Sequence, residues 1–254
     1  MRDGFELGDL SSWSAIVGGP VPTAPAAFRI TELSLLDPHV FYELGGLVCI
    51  DGTGVVNTEI ATLIDEDEDM DGLLDLSAML LFRPLEQVLL GQTVDLRGGE
   101  CSTDPTACAL DTFAAGRRLT FDNVGAGECL GPLVGTTSGE TPVSEVAAPC
   151  FVTEGTDVSL DLGTGDPVPL RDVQIGGTWN AEPADAVETG LLRGFLPETV
   201  ADSLDGPDGL PFSAFLRGGT GTCATGDDRD VHDTESGWWF YLSFEAAEVP
   251  WLGL

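Results

Sequence analysis

The 254-residue chain contains no lysine: all ten of its basic residues are arginine, set against 43 acids for a formal charge of −33. Without lysine there can be no Schiff-base chemistry, no Walker-A phosphate loop and no lysine-dependent serine hydrolase. The scarcity of cations also argues against nucleic acid as a partner, because neutralising phosphates takes clustered Lys and Arg. Histidine is nearly absent too, with only His39 and His232. No CxxC pair, GxSxG elbow, HExxH, or GxGxxG following a strand occurs. No run approaches the roughly 20 apolar residues that span a bilayer. Disorder is excluded by the other side of the composition, since 43% of residues are hydrophobic and can form a sizeable core.

Six cysteines form an even set: Cys49, Cys101, Cys108, Cys129, Cys150 and Cys223. Zinc sites use close cysteine pairs or histidines, so a disulfide framework is the better reading, and it implies an oxidising compartment. Many connectivities are open. The set chosen here is Cys101–Cys108 around a short loop, Cys129–Cys150 across a Gly/Thr/Pro-rich stretch, and Cys49–Cys223 joining distant parts. The polar start has no apolar h-region, which suggests a mature chain whose signal peptide has been removed. Residues 4–14, GFELGDLSSWS, resemble the segment that commonly follows the signal in secreted bacterial proteins. An extracellular, cell-surface or periplasmic location is expected. Residues 18–27 read as a Pro/Gly/Ala linker, so 1–27 is taken as an extension and 28–254 as one β-rich domain.

Thirty-three glycines and sixteen prolines, spread throughout, favour short strands and tight turns over helices. Alternation predicts strands at 28–36, with a phase slip near Glu32-Leu33, and at 73–82, 92–97, 117–124, 157–162, 168–179 and 238–246. A hairpin is predicted from 40–44 and 47–50. Two short helices are predicted, 56–64 with Asn57 as its cap and 187–195 with apolar residues at helical spacing. A faint echo relates 56–83 to 187–217. The expected architecture is mainly β, a disulfide-clipped sandwich or jelly-roll-like domain.

The sharpest local signal is Asp67-Glu68-Asp69-Met70-Asp71-Gly72-Leu73-Leu74-Asp75. Calcium takes six to eight oxygens around a tight turn, and alternate carboxylates with a glycine supply that geometry. The segment resembles the DxDxDGxxD calcium loops of EF-hands, thrombospondin type 3 repeats and dockerins. The resemblance implies side-chain ligands from Asp67, Asp69 and Asp71, a carbonyl from Leu73, and Asp75 bound directly or through water. It departs from an EF-hand at the twelfth position, where Ala78 replaces the bidentate glutamate, and its exit reads as a strand. A single structural calcium site completed from elsewhere is therefore expected.

A second acidic stretch, 226–233, offers Asp228, Asp230 and Asp233 with His232, but Arg229 supplies a counter-charge and the segment reads as an exposed loop. His39, in a turn between apolar runs, reads as a packed or capping residue. Arg117-Arg118, the one basic pair, reads as a counter-charge to nearby acids. In Trp238-Trp239-Phe240-Tyr241 the two faces of a strand alternate. Trp239 and Tyr241 form a sugar-stacking platform if their face is open, and core if it is covered.

The function expected from these features is a secreted, calcium-stabilised binding or adhesion module with a glycan or cell-surface protein as partner. The alternatives are a structural assembly subunit that self-associates and a polysaccharide hydrolase working through paired carboxylates.

Overall fold

The computed structural model describes residues 25–44, 48–88, 90–104, 106–110, 116–139, 141–160, 167–221, 223 and 225–253. The chain runs through β1 (Ala26–Asp37), β2 (Phe41–Leu44), β3 (Val48–Asp51), helix α1 (Thr53–Asp65), β4 (Ala78–Phe82), β5 (Gln92–Cys101), β6 (Cys108–Leu110) and β7 (Arg117–Val124). It continues through β8 (Glu128–Leu130), β9 (Val146–Ala147), β10 (Cys150–Thr153), β11 (Thr156–Leu160), β12 (Val168–Trp179), β13 (Ala186–Pro197), the single turn α2 (Glu198–Ala201), β14 (Asp230–His232) and β15 (Glu235–Val249).

Eight of these strands close into an antiparallel barrel in the order β1-β4-β5-β7-β10-β12-β13-β15. Closure falls to β1. It pairs with β4 from Ala26 to Arg29 and with β15 along nearly its whole length. The expected sandwich or jelly roll is thus corrected to a barrel. Inside-outside alternation reads the same in both, and only the second partner of β1 separates them. Closure gives the first and last strands of the barrel order a partner on each side.

The barrel interior is filled. Phe28, Phe82, Phe121, Phe151 and Trp179 meet ring to ring at centroid distances of 4.8–6.0 Å. Ile60 and Ile64 of α1 join the same core. The bulge in β1, between Ile30 and Glu32, carries the inward face from Phe28 and Ile30 to Leu33 and Leu35, close to the slip expected from the sequence. A second apolar layer lies outside the barrel wall, where Leu191, Phe195, Trp239 and Tyr241 are covered by Leu130, Leu133, Val143 and Val146. A third, smaller cluster gathers Ala27, Met79 and Leu81 with Cys101 and Cys108.

That second layer decides one alternative and overturns one expectation. Trp239 and Tyr241 are 3% and 0% exposed, so of the two alternatives their face is the covered one and they are core. The Tyr241 hydroxyl accepts from the Leu133 amide at 3.0 Å and bonds the Thr136 hydroxyl, which ties the covering segment down. Residues 187–195 belong to strand β13, not to a helix. A bulge between Val187 and Gly190 shifts its phase, so Val187, Leu192 and Leu196 face the barrel while Leu191 and Phe195 face the outer layer. Burial on both faces plus one bulge reproduces helical spacing in the sequence. With 187–197 a strand and 56–65 a helix, the echo between the two segments has no structural counterpart.

Other boundaries shift less. Ala26 and Ala27 already belong to β1, and residues 1–24 lie outside the described residues. Helix α1 starts at Thr53, and its N-cap is Gly52. Asn57 instead grips β1, accepting from the Leu35 amide at 2.7 Å and donating to the Leu35 carbonyl at 3.0 Å. The strand predicted at 73–82 is strand only from Ala78 to Phe82, and residues 73–77 belong to the loop before it. The three disulfides are Cys49–Cys223, Cys101–Cys108 and Cys129–Cys150, the pairing set out above.

Candidate metal centre

The acidic loop joins α1 to β4, and both of its ends are pinned. The Leu76 amide donates to the Leu63 carbonyl at 2.7 Å and the Asp75 amide to the Glu66 carbonyl at 3.2 Å, closing the loop onto the end of the helix. Its far side rests on the hairpin of β5 and β6, which the Cys101–Cys108 disulfide clips: Leu74 N donates to Cys101 O at 2.9 Å and Thr103 N to Gly72 O at 3.2 Å. The loop is therefore mounted on rigid structure at three places.

Two residues with positive φ, Met70 at 59° and Gly72 at 91°, turn the backbone so that its amides face the carboxylates. Asp71 N donates to Asp67 Oδ1 at 3.0 Å and to Asp69 Oδ1 at 3.1 Å, and Gly72 N donates to Asp67 Oδ2 at 2.9 Å. Leu73 N reaches Asp71 Oδ1 at 2.8 Å. As a result one carboxylate oxygen each from Asp67, Asp69 and Asp71 lies within 4.8 Å of the others. Two like charges at that separation repel by roughly 1 kcal/mol even in water, a repulsion that a cation at the centre would relieve.

Asp75 stands apart from this trio, its Oδ2 accepting from the Glu68 amide at 3.1 Å. Leu73 forms an isolated antiparallel bridge with Ser102. Three carboxylates supply between three and six of the oxygens a calcium ion takes.

The second acidic stretch is built differently. Arg229 forks onto Asp227, with Nε–Oδ1 and Nη2–Oδ2 both 2.8 Å, and also reaches Glu198 at 2.8 Å. That guanidinium holds the Asp227 carboxyl down at about 2. Arg217 stands 3.7 Å from Asp228. Burial pushes Asp230 up to about 6, aided by the charges of Asp37 and Asp228 and opposed by a hydrogen bond from the Trp239 amide. His232 packs on the rings of Trp239 and Phe195 at 5.0 and 5.2 Å. Asp228, Asp230 and Asp233 do not converge. Among the described residues, the Asp67, Asp69 and Asp71 trio is the one group of three potential ligands that does.

His39, 7% exposed, is packed as expected. Its Nδ1 lies 2.5 Å from Asp51 Oδ2 and its Nε2 lies 3.3 Å from Thr141 Oγ1, so it links the β2–β3 hairpin to the segment before β9. Close by, burial raises the Asp37 carboxyl while the Ser138 hydroxyl and amide partly offset the rise.

Among the described residues, two surface depressions stand out. A shallow one of about 160 Å³ on the outer wall is lined by Glu32, Glu188 and Glu245 with Ser34 and Ser243. An apolar one of about 440 Å³, beside the Cys49–Cys223 disulfide, is lined by Phe41, Tyr42, Leu210 and Phe215. Sequence reasoning also missed an ionic cluster, Asp95 with Arg83, Arg97 and Arg118. Its one sequence signal was the adjacent Arg117-Arg118 pair, because its members come from three strands. Comparison with protein-family models, curated proteins and solved structures finds no match to this chain, so its own chemistry carries the functional reading.

Proposed function

We propose that this chain is a calcium-stabilised binding or adhesion module that works outside the cytoplasm, with a glycan as ligand. The observation that carries the reading is the convergence of Asp67, Asp69 and Asp71 in a loop whose two ends and far side are already fixed. A preorganised loop loses little conformational freedom on binding an ion, and the ion then locks the loop that joins α1 to β4. Three disulfides support an oxidising location. Because aromatic side chains fill the barrel, recognition falls to its outer wall and loops.

The test is a thermal melt at fixed ionic strength in EDTA, then in calcium or magnesium. At a hundred-fold excess over Kd, linkage predicts about 2.7 kcal/mol of stabilisation, or roughly 5–10 °C for a chain of this size. The rise should be specific to calcium and absent in Asp69→Ala and Asp71→Ala. Identical midpoints in EDTA and calcium would sink the site and bring the assembly-subunit reading forward.

One observation favours a second reading, the polysaccharide hydrolase. Glu32 and Glu245 stand directly opposite each other on β1 and β15 in the shallow outer depression. Opposed antiparallel positions place Cβ atoms about 5 Å apart, and retaining glycosidases hold their two carboxyl groups at a similar separation. Turnover of a polysaccharide panel, lost in Glu245→Gln, supports it; no turnover removes it.

A further inference from the structure

Three of the ten arginines, Arg83, Arg97 and Arg118, gather on the outer wall where β5 runs between β7 and the end of β4. Asp95 faces outward there, between the inward-facing Val94 and Leu96, opposite Leu81 on β4 and Arg118 on β7. Its carboxylate is 2% exposed. Arg118 donates to it from Nε at 2.7 Å and Nη2 at 3.2 Å, and Arg83 donates from Nε at 3.0 Å. Arg97 Nε stands 4.0 Å away. Burial alone would raise the Asp95 carboxyl, but the Arg118 hydrogen bond and the charges of Arg118, Arg83 and Arg97 together hold it below the usual range. The stem of Arg97 lies against Gly116, where a Cβ would come within 2.5 Å of its Cγ. Arg117, on the opposite face of β7, donates instead to the Thr156 hydroxyl at 3.2 Å.

The cluster holds more cation than Asp95 needs. Three guanidiniums bring about fifteen N–H donors, whereas one carboxylate offers about four acceptor sites. The charge surplus is two. Side-chain exposures of 63% for Arg118 and 40% for Arg83 turn the surplus towards solvent. Thr93 and Thr120 are paired one rung further along the same outward face and add two hydroxyls. The net charge of −33 repels a long polyanion from the rest of the surface, which leaves a short ligand with one or two negative groups.

We propose that Arg83, Arg97 and Arg118 form a clasp for the carboxylate or sulfate group of a short acidic saccharide, with Thr93 and Thr120 meeting its hydroxyls. Planar guanidiniums match such oxyanions in bidentate fashion. Asp95 is a positioning residue that holds the three forks in place before the ligand arrives. The saccharide class rests on the binding-module reading above; the oxyanion clasp does not.

The experiment titrates the full chain, at fixed ionic strength and in both calcium and EDTA, with a uronate trisaccharide, a neutral trisaccharide of the same size, and inorganic sulfate. The expected result is saturable binding of the uronate trisaccharide and none of the neutral one. Arg118→Gln and Arg83→Gln should each weaken it ten-fold or more in a chain that still melts cooperatively, at a midpoint lowered by the loss of a partner to buried Asp95, while Arg171→Gln, outside the clasp, should leave binding unchanged. Binding of sulfate without the uronate trisaccharide overturns the saccharide assignment. Absence of binding to either, or binding indifferent to Arg118→Gln and Arg83→Gln, overturns the clasp. Uronate binding that persists when calcium leaves the melting midpoint unmoved sinks the calcium site alone.

Discussion

The two acidic loops, 67–75 and 226–233, have similar composition and different electrostatics. In the first, backbone amides are the hydrogen-bond donors to Asp67, Asp69 and Asp71, and the carboxylates remain close together. In the second, Arg229 and Arg217 stand among the acids, and burial treats each acid separately. Amides orient a carboxylate without cancelling its charge, whereas a guanidinium does both. The first loop therefore keeps its negative charge concentrated, whereas the second has much of it cancelled in place.

Each loop also neighbours a disulfide, and removing these gives the largest expected effects. Cys49–Cys223 spans 174 residues, and its loss in Cys49→Ala/Cys223→Ala should cost about 5 kcal/mol of loop-closure entropy. The calcium response should survive, since that bond joins β3 to the segment just before the second loop and holds no residue of the first. Cys101–Cys108 spans 7 residues and is worth about 2.5 kcal/mol by the same account. Its removal should nonetheless weaken the calcium-dependent rise, because the first loop rests on that hairpin through Leu74 and Thr103. Melts of both double variants with and without calcium decide the matter. An undiminished calcium response without Cys101–Cys108 would show that the loop needs no mount.

How much of this was legible in the sequence depended on whether a feature was local. The acidic loop could be read because all of its groups lie within nine residues, and helix α1 and strand β12 followed from their own periodicity. Barrel closure could not, because it depends on β1 meeting β15 across more than 200 residues of chain. Nor could the fate of Trp239 and Tyr241, since their alternation is identical whether their face meets water or the segment around Leu133. The helix misread at 187–195 has a physical cause: a strand buried on both faces, with a bulge after Val187, spaces its apolar residues as a helix does. The arginine clasp was invisible for the same reason as the barrel, because Arg83, Arg97 and Arg118 meet only when β4, β5 and β7 pair.

The smaller effects belong to the second loop. Arg229→Gln leaves Asp227 and Glu198 without their shared guanidinium, and with these groups partly exposed the loss should be about 0.5–1 kcal/mol. The loop also contains opposite pH responses three residues apart. Asp227 titrates at about 2 in the folded chain, below the ordinary 3.8, so its contribution is present above pH 4 and is lost as pH falls towards 2. Asp230 is raised to about 6, so the folded chain holds a proton that the unfolded chain has released between pH 4 and 6, and stability falls as pH rises through that window. Asp230→Asn removes the cost of a buried charge. At pH 7 it should stabilise the chain by about 1 kcal/mol after allowance for solvent screening, and flatten the slope between pH 4 and 6. Asp227→Asn should do neither, and should instead lose stability at pH 7 by a few tenths of a kcal/mol. Denaturant titrations of the two variants at pH 4, 5, 6 and 7 measure both slopes. Parallel behaviour of the pair would mean that the loop carries one diffuse acidic field, and the contrast with the first loop would then disappear.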